Sequence, residues 1–300
     1  MTDLFYKEYP QYTTTMARFA RIAIRYPAAK VFSIGRSWLG REIYAIGVGN
    51  LQSATCIVGG THATEYYGVL GCFRFCEEVL ESLESGTFPY DTPMGKAIGE
   101  RGLLFIPCLN PDGLELWVGG VDTAGPLRTF VFAHCGGDLS HWQANARGVD
   151  LNHNFDAGFD IARRQVEQTG IYLPGPTKYG GPFPFSEPET RALADFCRLY
   201  APRQVVALHS QGEEIYYQYG PRTPKQSALV AQMLASVGGY RVAQPGGTAS
   251  HAGFKDWFIQ ETGRPGYTLE VGLGENPLPL EGFEGAYQKL GPMLAVLSIA

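Results

Sequence analysis

Short apolar runs that end in polar, reactive side chains recur along this chain. Cys56-Ile57-Val58 runs into Gly59-Gly60 and delivers His62 and Glu65, while Gln204 to Leu208 delivers His209. Leu103 to Pro107 closes on Asn110-Pro111-Asp112-Gly113, and Tyr267 to Val271 carries Glu270 within it. Runs of this length, bounded by turn residues, predict buried strands. Behind Glu65 the period changes, and Val69, Phe73, Cys76, Leu80 and Leu83 fall on one helical stripe. Strand, helix, strand is a crossover unit. The pattern therefore predicts an α/β fold, a mixed and mainly parallel twisted sheet with helices on both faces.

The flanking segments fill in this frame. Met16, Phe19, Ala20 and Ile24 are spaced for a helix that Tyr26-Pro27 ends. Val31 to Gly35 and Glu42 to Gly49 read as two β runs joined by a short polar connection. Residues 114–185, rich in Gly, Pro and aromatics, predict functional loops over the sheet edge, with Asn110-Pro111-Asp112-Gly113 as a turn. Ser186-Glu187-Pro188-Glu189 predicts a capping-box start for a helix to about Tyr200, and further helices are expected near 223–237, 254–261 and 284–298. No linker or repeat interrupts the pattern, so one domain over 1–300 is expected, with 1–30 a helical extension packed on it.

Composition narrows the classes of function. A chain of 300 residues that is 45% hydrophobic can bury a large core. Its net charge of −5 and lack of a basic stripe argue against nucleic acid and anionic lipid, leaving a small or peptidic partner. No segment approaches the roughly 20 apolar residues of a membrane span. Met1 to Glu8 lacks the basic and apolar regions of an export signal, so a cytoplasmic setting is expected. The six cysteines form no CxxC pair and read as free, buried thiols of a reducing compartment.

A hydrolytic zinc site needs about three nitrogen and oxygen ligands and an open fourth position. His62, Glu65 and His209 supply that set, and two imidazoles with one carboxylate suit a single zinc ion better than the all-oxygen shells of calcium or magnesium. The HExxH and HxxEH layouts are absent. Glu270, set in an apolar strand, needs a partner for its charge and can serve as general base beside such an ion.

The His62-x-x-Glu65 pair, the strand-borne His209, Gly148-Val149-Asp150-Leu151-Asn152-His153-Asn154-Phe155, the turn at 110–113 and the late Glu270 together resemble the zinc carboxypeptidase family. Within it, Asn152-His153-Asn154 and the segment His209 to Tyr217 are similar to bacterial γ-D-glutamyl-diamino acid endopeptidases. The resemblance implies hydrolysis of the γ-D-glutamyl–meso-diaminopimelate bond of peptidoglycan-derived peptides. It further implies His62, Glu65 and His209 as zinc ligands, Glu270 as base and then acid, and Asn152 as a binder of a substrate carboxylate.

Three departures from the family pattern bear on substrate choice. His153 stands where carboxypeptidases usually place an Arg that grips a C-terminal carboxylate, which speaks against ordinary C-terminal trimming. Gln143 stands where an oxyanion-stabilising Arg is expected, leaving Arg147 as the nearest cationic substitute. The tyrosine that closes over the substrate has no match near Gly247-Thr248, leaving His251 as a polar partner. Of the acidic pair Glu213-Glu214, Glu214 is expected to read the far amine of diaminopimelate. His134 and His141 are expected to have no metal role. A carboxypeptidase or amidohydrolase acting on other peptides, and a catalytically silent binder of wall peptides, remain as alternatives.

Overall fold

The computed structural model describes residues 3–87 and 94–300, so Met1 and Thr2 of the amino-terminal octapeptide lie outside it. One eight-stranded sheet runs β1 (Ala29–Arg36), β2 (Glu42–Val48), β4 (Leu103–Ile106), β3 (Thr55–Val58), β5 (Gln204–His209), β8 (Gly266–Glu270), β6 (Glu214–Tyr216) and β7 (Arg241–Val242) across its width. The four central strands β4, β3, β5 and β8 are mutually parallel, and antiparallel pairing is confined to β1–β2, β2–β4 and β6–β8. This is the mixed, mainly parallel α/β sheet that the apolar runs predict.

Alternation along the central strands divides the core between two faces. Ile57, Phe105, Val206 and Leu269 pack with α1 (Tyr12–Arg25), α2 (Tyr66–Ser85), α8 (Gln226–Gly238) and α10 (Phe283–Ile299), while the short α3 (Met94–Arg101) leads into β4. Cys56, Val58, Leu104 and Ala207 point the other way, onto α7 (Pro188–Tyr200) and α9 (Phe254–Thr262). All six cysteines are unbridged, and all but Cys135 are buried. Among the described residues no helix is long and apolar enough to cross a membrane.

Four expectations are corrected. In α1 the buried face is Thr15, Arg18, Phe19 and Ile22, while Ala20 and Ile24 are exposed. The face is turned toward Arg18 because its guanidinium is buried against Glu77 of α2 and Asp3 and lies over the rings of Phe5 and Tyr6. Asn110-Pro111 is a helix start rather than a turn. Asn110 Oδ1 accepts the Gly113 N–H at 2.9 Å and Pro111 opens α4 (Pro111–Gly119), the same residue types serving both structures. Residues 114–185 also carry α5 (Arg128–Cys135) and α6 (Phe159–Glu167), and α7 is preceded by Glu187 at its cap, without the capping box expected from Ser186.

The strand order puts β3, β5 and β8 side by side, with His209 in register with Glu270. β3 turns away from the sheet through Gly59 and Gly60. A Cβ on Gly59 would stand 2.4 Å from the Gly68 carbonyl oxygen, and Gly60 adopts φ +59 with Val69 and Cys108 atoms 2.8 and 3.0 Å from where its Cβ would be. Only glycines let the chain drop into α2 this tightly, and that drop carries His62 and Glu65 beside the end of β5.

Candidate metal centre

His62, Glu65 and His209 converge at the carboxyl ends of β3 and β5, with ligand atoms all within 4.8 Å of one another. His62 Nδ1 lies 2.8 Å from Glu65 Oε1 and 3.3 Å from His209 Nδ1, and His209 Nδ1 lies 2.9 Å from Glu65 Oε2. Two ligands held about 2.0–2.1 Å from a tetrahedral zinc stand about 3.3 Å apart, the spacing of the two Nδ1 atoms. The donor types and their separation fit zinc.

Around this trio further polar groups fix orientation. His62 Nε2 faces Asp150 Oδ1 at 3.1 Å, so a ring proton on Nε2 turns the Nδ1 lone pair to the cluster. Asp150 is 1% exposed and also accepts the Asn152 N–H at 3.1 Å and the Lys178 N–H at 2.8 Å. Glu65 accepts the Ser210 N–H at 3.2 Å and the Asn276 amide at 3.4 Å, and Asn276 is itself tied to Ser210.

Electrostatics follow from these contacts. Burial opposes charge on His62, but Glu65 and Asp150 outweigh it and hold the imidazole well above its ordinary pKa. Burial also opposes charge on Glu65, and His62 and His209 together hold it below the usual carboxylate range. For Glu270 the balance reverses. Burial, then Glu65 and Glu214, push its carboxyl well above the ordinary value against the pull of His62. Glu270 lines the same cleft as the trio.

A zinc carboxypeptidase family profile matches residues 16–288. The chain belongs to the zinc carboxypeptidase family. As a member it is a zinc-dependent hydrolase. It is 34% identical over 289 residues to γ-D-glutamyl-L-diamino acid endopeptidase 1 of Lysinibacillus sphaericus, an alignment covering 95% of this chain and 72% of that protein. Carboxypeptidase B of Homo sapiens is 27% identical over 89% of this chain and 63% of its own length. The fold is shared with thrombin activatable fibrinolysis inhibitor, with a TM-score of 0.75 and 20% identity over 99% of this chain and 78% of that one.

The cleft of this zinc carboxypeptidase-family enzyme has a lining of its own. Asn152, His153, Gln143, His141, Gln211 and Tyr216 surround the trio and Glu270, and no Arg or Lys is among the described lining residues. Asn152 Oδ1 accepts the Phe254 N–H at 3.1 Å, and its amide nitrogen has no partner among the described residues. His153 Nε2 faces the Thr248 carbonyl at 2.9 Å and its Nδ1 stands 3.2 Å from Asp150 Oδ2. Gln143 Oε1 accepts the Thr177 hydroxyl at 2.7 Å, and the N–H donors of this amide are unspent among the described residues.

Three expected site residues are placed elsewhere. Arg147 lies over the Trp38 ring at 4.1 Å and pairs with buried Glu187 at 3.3 Å, so its guanidinium is spent on the scaffold. Glu214 is held by Arg241 and the Tyr216 hydroxyl, and its neighbour Glu213 is paired with Lys289 at 2.6 Å, so neither carboxylate is free for an amine. His251 bonds the Tyr219 hydroxyl at 3.1 Å and lies outside the cleft. His141 reaches the cleft, though not the trio. Asp150, which faces His62 at 3.1 Å, is a residue of this centre that sequence reasoning does not single out. Its signal is its place two positions before Asn152, in a segment too polar for a core strand.

Proposed function

We propose that this enzyme hydrolyses the γ-D-glutamyl–meso-diaminopimelate bond of peptidoglycan-derived peptides, with His62, Glu65 and His209 holding one zinc ion. The lining of the cleft is the observation that carries this reading. A carboxypeptidase grips the terminal carboxylate with a free guanidinium fork, whereas the described lining here offers imidazoles, amides and carboxylates. His153, in the place of that fork, turns Nε2 to the Thr248 carbonyl and keeps its ring 3.2 Å from the Asp150 carboxylate, so it offers an imidazole and no bidentate cation. Such a cleft favours cleavage within a γ-linked peptide over trimming of an ordinary carboxyl terminus. The 34% identity to a γ-D-glutamyl-L-diamino acid endopeptidase supports the same substrate class.

When bound, zinc supplies Lewis acidity that polarises a carbonyl and lowers the pKa of a water. Glu270 takes the proton from the attacking water and returns it to the departing amine. Its buried place beside the trio suits both tasks, because burial favours the protonated carboxyl while a nearby cation favours release. Gln143 supplies the donor for the developing oxyanion in place of an arginine, its amide oriented by Thr177. The free amide nitrogen of Asn152 takes a substrate carboxylate. We also place the enzyme in the cytoplasm, where six unbridged cysteines are at home, a reading that cell fractionation checks.

Mass spectrometry of products from L-Ala-γ-D-Glu-meso-diaminopimelate tests the proposal. Release of free diaminopimelate, abolished by a chelator and restored by zinc, is the expected result. An intact peptide in the presence of zinc refutes it.

A further inference from the structure

A second cavity, of about 230 Å³, shares His153 with the metal cleft. Its floor is the buried stripe of α6, Phe159, Ala162 and Val166, which repeats at helical spacing. At its rim stand charges of both signs, Glu167 on the same helix and Lys178 on another loop. Among the described residues neither of these side chains has an ion-pair partner, whereas Arg163, which also lines the cavity, is engaged by Asp160 at 2.8 Å.

Lys178 is held in place in an unusual way. Its backbone is left-handed, with φ +67, a conformation that non-glycine residues rarely adopt. Its N–H is anchored on Asp150 Oδ2 at 2.8 Å, the same carboxylate that orients His62. A half-buried lysine without an acidic partner among the described residues is thus rooted at a set position relative to the metal ligands. A space this small takes one amino-acid-sized group.

We propose that this cavity is the subsite for the far end of the substrate's diamino acid, a zwitterion bearing one ammonium and one carboxylate. This rests on the γ-D-glutamyl-diaminopimelate reading above and supplies the recognition that the engaged Glu214 does not. The methylenes lie along Phe159, Ala162 and Val166, the carboxylate meets Lys178, and the ammonium meets Glu167. Diaminopimelate is lysine with a carboxylate added at its far carbon, so Lys178 is the residue that tells the two apart.

The test compares kcat/KM on L-Ala-γ-D-Glu-meso-diaminopimelate and on L-Ala-γ-D-Glu-L-Lys in zinc-loaded wild type, Lys178→Met, Lys178→Gly, Lys178→Arg and Glu167→Gln. A charge-assisted contact to a carboxylate is worth about 10- to 100-fold. The ratio of diaminopimelate to lysine substrate is therefore expected to fall by that factor in Lys178→Met and Lys178→Gly and to be kept in Lys178→Arg. Glu167→Gln is expected to slow both substrates, since both carry the ammonium. Lys178→Gly relieves the left-handed backbone, so it reports on the charge even where the Met variant folds poorly. A wild-type enzyme that cleaves neither peptide overturns the functional reading and the subsite together. An active wild type whose substrate ratio survives in Lys178→Gly overturns the subsite alone.

Discussion

Replacing Asp150 with Asn keeps the shape of the side chain and removes its ability to accept on both oxygens. In the native protein Oδ1 accepts from His62 Nε2 at 3.1 Å and from the Asn152 N–H, while Oδ2 accepts the Lys178 N–H at 2.8 Å. An amide can satisfy only one of these sides. If its oxygen stays toward His62, its NH2 meets the Lys178 N–H, donor against donor, and a buried N–H is left unpaired at a cost of about 1–3 kcal/mol in stability. If it flips, its NH2 faces His62 Nε2, which must then accept. The imidazole proton moves to Nδ1, the atom turned to Glu65 and His209. Either outcome penalises the centre, and losing the orienting carboxylate costs about 10- to 100-fold in metal affinity, or about 1.4–2.7 kcal/mol. Zinc affinity measured by competition with a chromogenic chelator, alongside thermal unfolding of the zinc-free protein, reads both effects. An Asp150→Asn protein with wild-type zinc affinity and wild-type melting would refute the reasoning.

Other outcomes follow from the same contacts. Glu270→Gln is expected to keep zinc by elemental analysis yet lose about 10²- to 10⁴-fold in kcat, because the amide cannot take a proton; near-normal turnover removes Glu270 as the base. Zinc affinity is expected to rise with pH, since His62 is held protonated by Glu65 and Asp150 and must shed that proton to bind; calorimetry in buffers of different ionisation enthalpy reads the proton release, and its absence counts against this picture. Glu189 is fully buried, its pKa pushed up to about 8 by burial with Asp112 and Glu187 adding to the effect, and its Oε2 has no partner among the described residues. The folded state therefore holds a proton between the ordinary carboxylate value and about 8 that the unfolded chain releases, so stability from this group falls as pH rises through that window, by a few kcal/mol. Urea unfolding of wild type and Glu189→Gln near the two ends of the window checks it: the variant should gain on the wild type at the higher pH, and a pH-independent difference contradicts the argument.

The parts of the fold legible in the sequence are those whose burial is most complete. β3, β5 and β8 are apolar enough to read as strands alone, and their ends point to His62, His209 and Glu270. β6 and β7, three and two residues long, are too short to leave a periodic signature. The helices α4 and α6 are hidden because Asn, Pro and Gly start helices as readily as they make turns. Loop residues of the cleft are less legible still. Asn152 and His153 reach it, but Arg147, in the same loop, turns to Trp38 and Glu187. Sequence proximity places a backbone near the site and says nothing of where a long side chain finds its partner.

The two histidines of the trio stand 147 positions apart in the chain, one just past the end of β3 and the other closing β5. An ion held between them joins these neighbouring strands by something other than backbone pairing, so neither strand end can open without giving up the metal's binding energy. The outer hairpin of β1 and β2 is under no such restraint. Zinc should therefore grade the sheet, slowing amide hydrogen exchange around β3 and β5 while leaving the exchange of β1 much as it is without the ion.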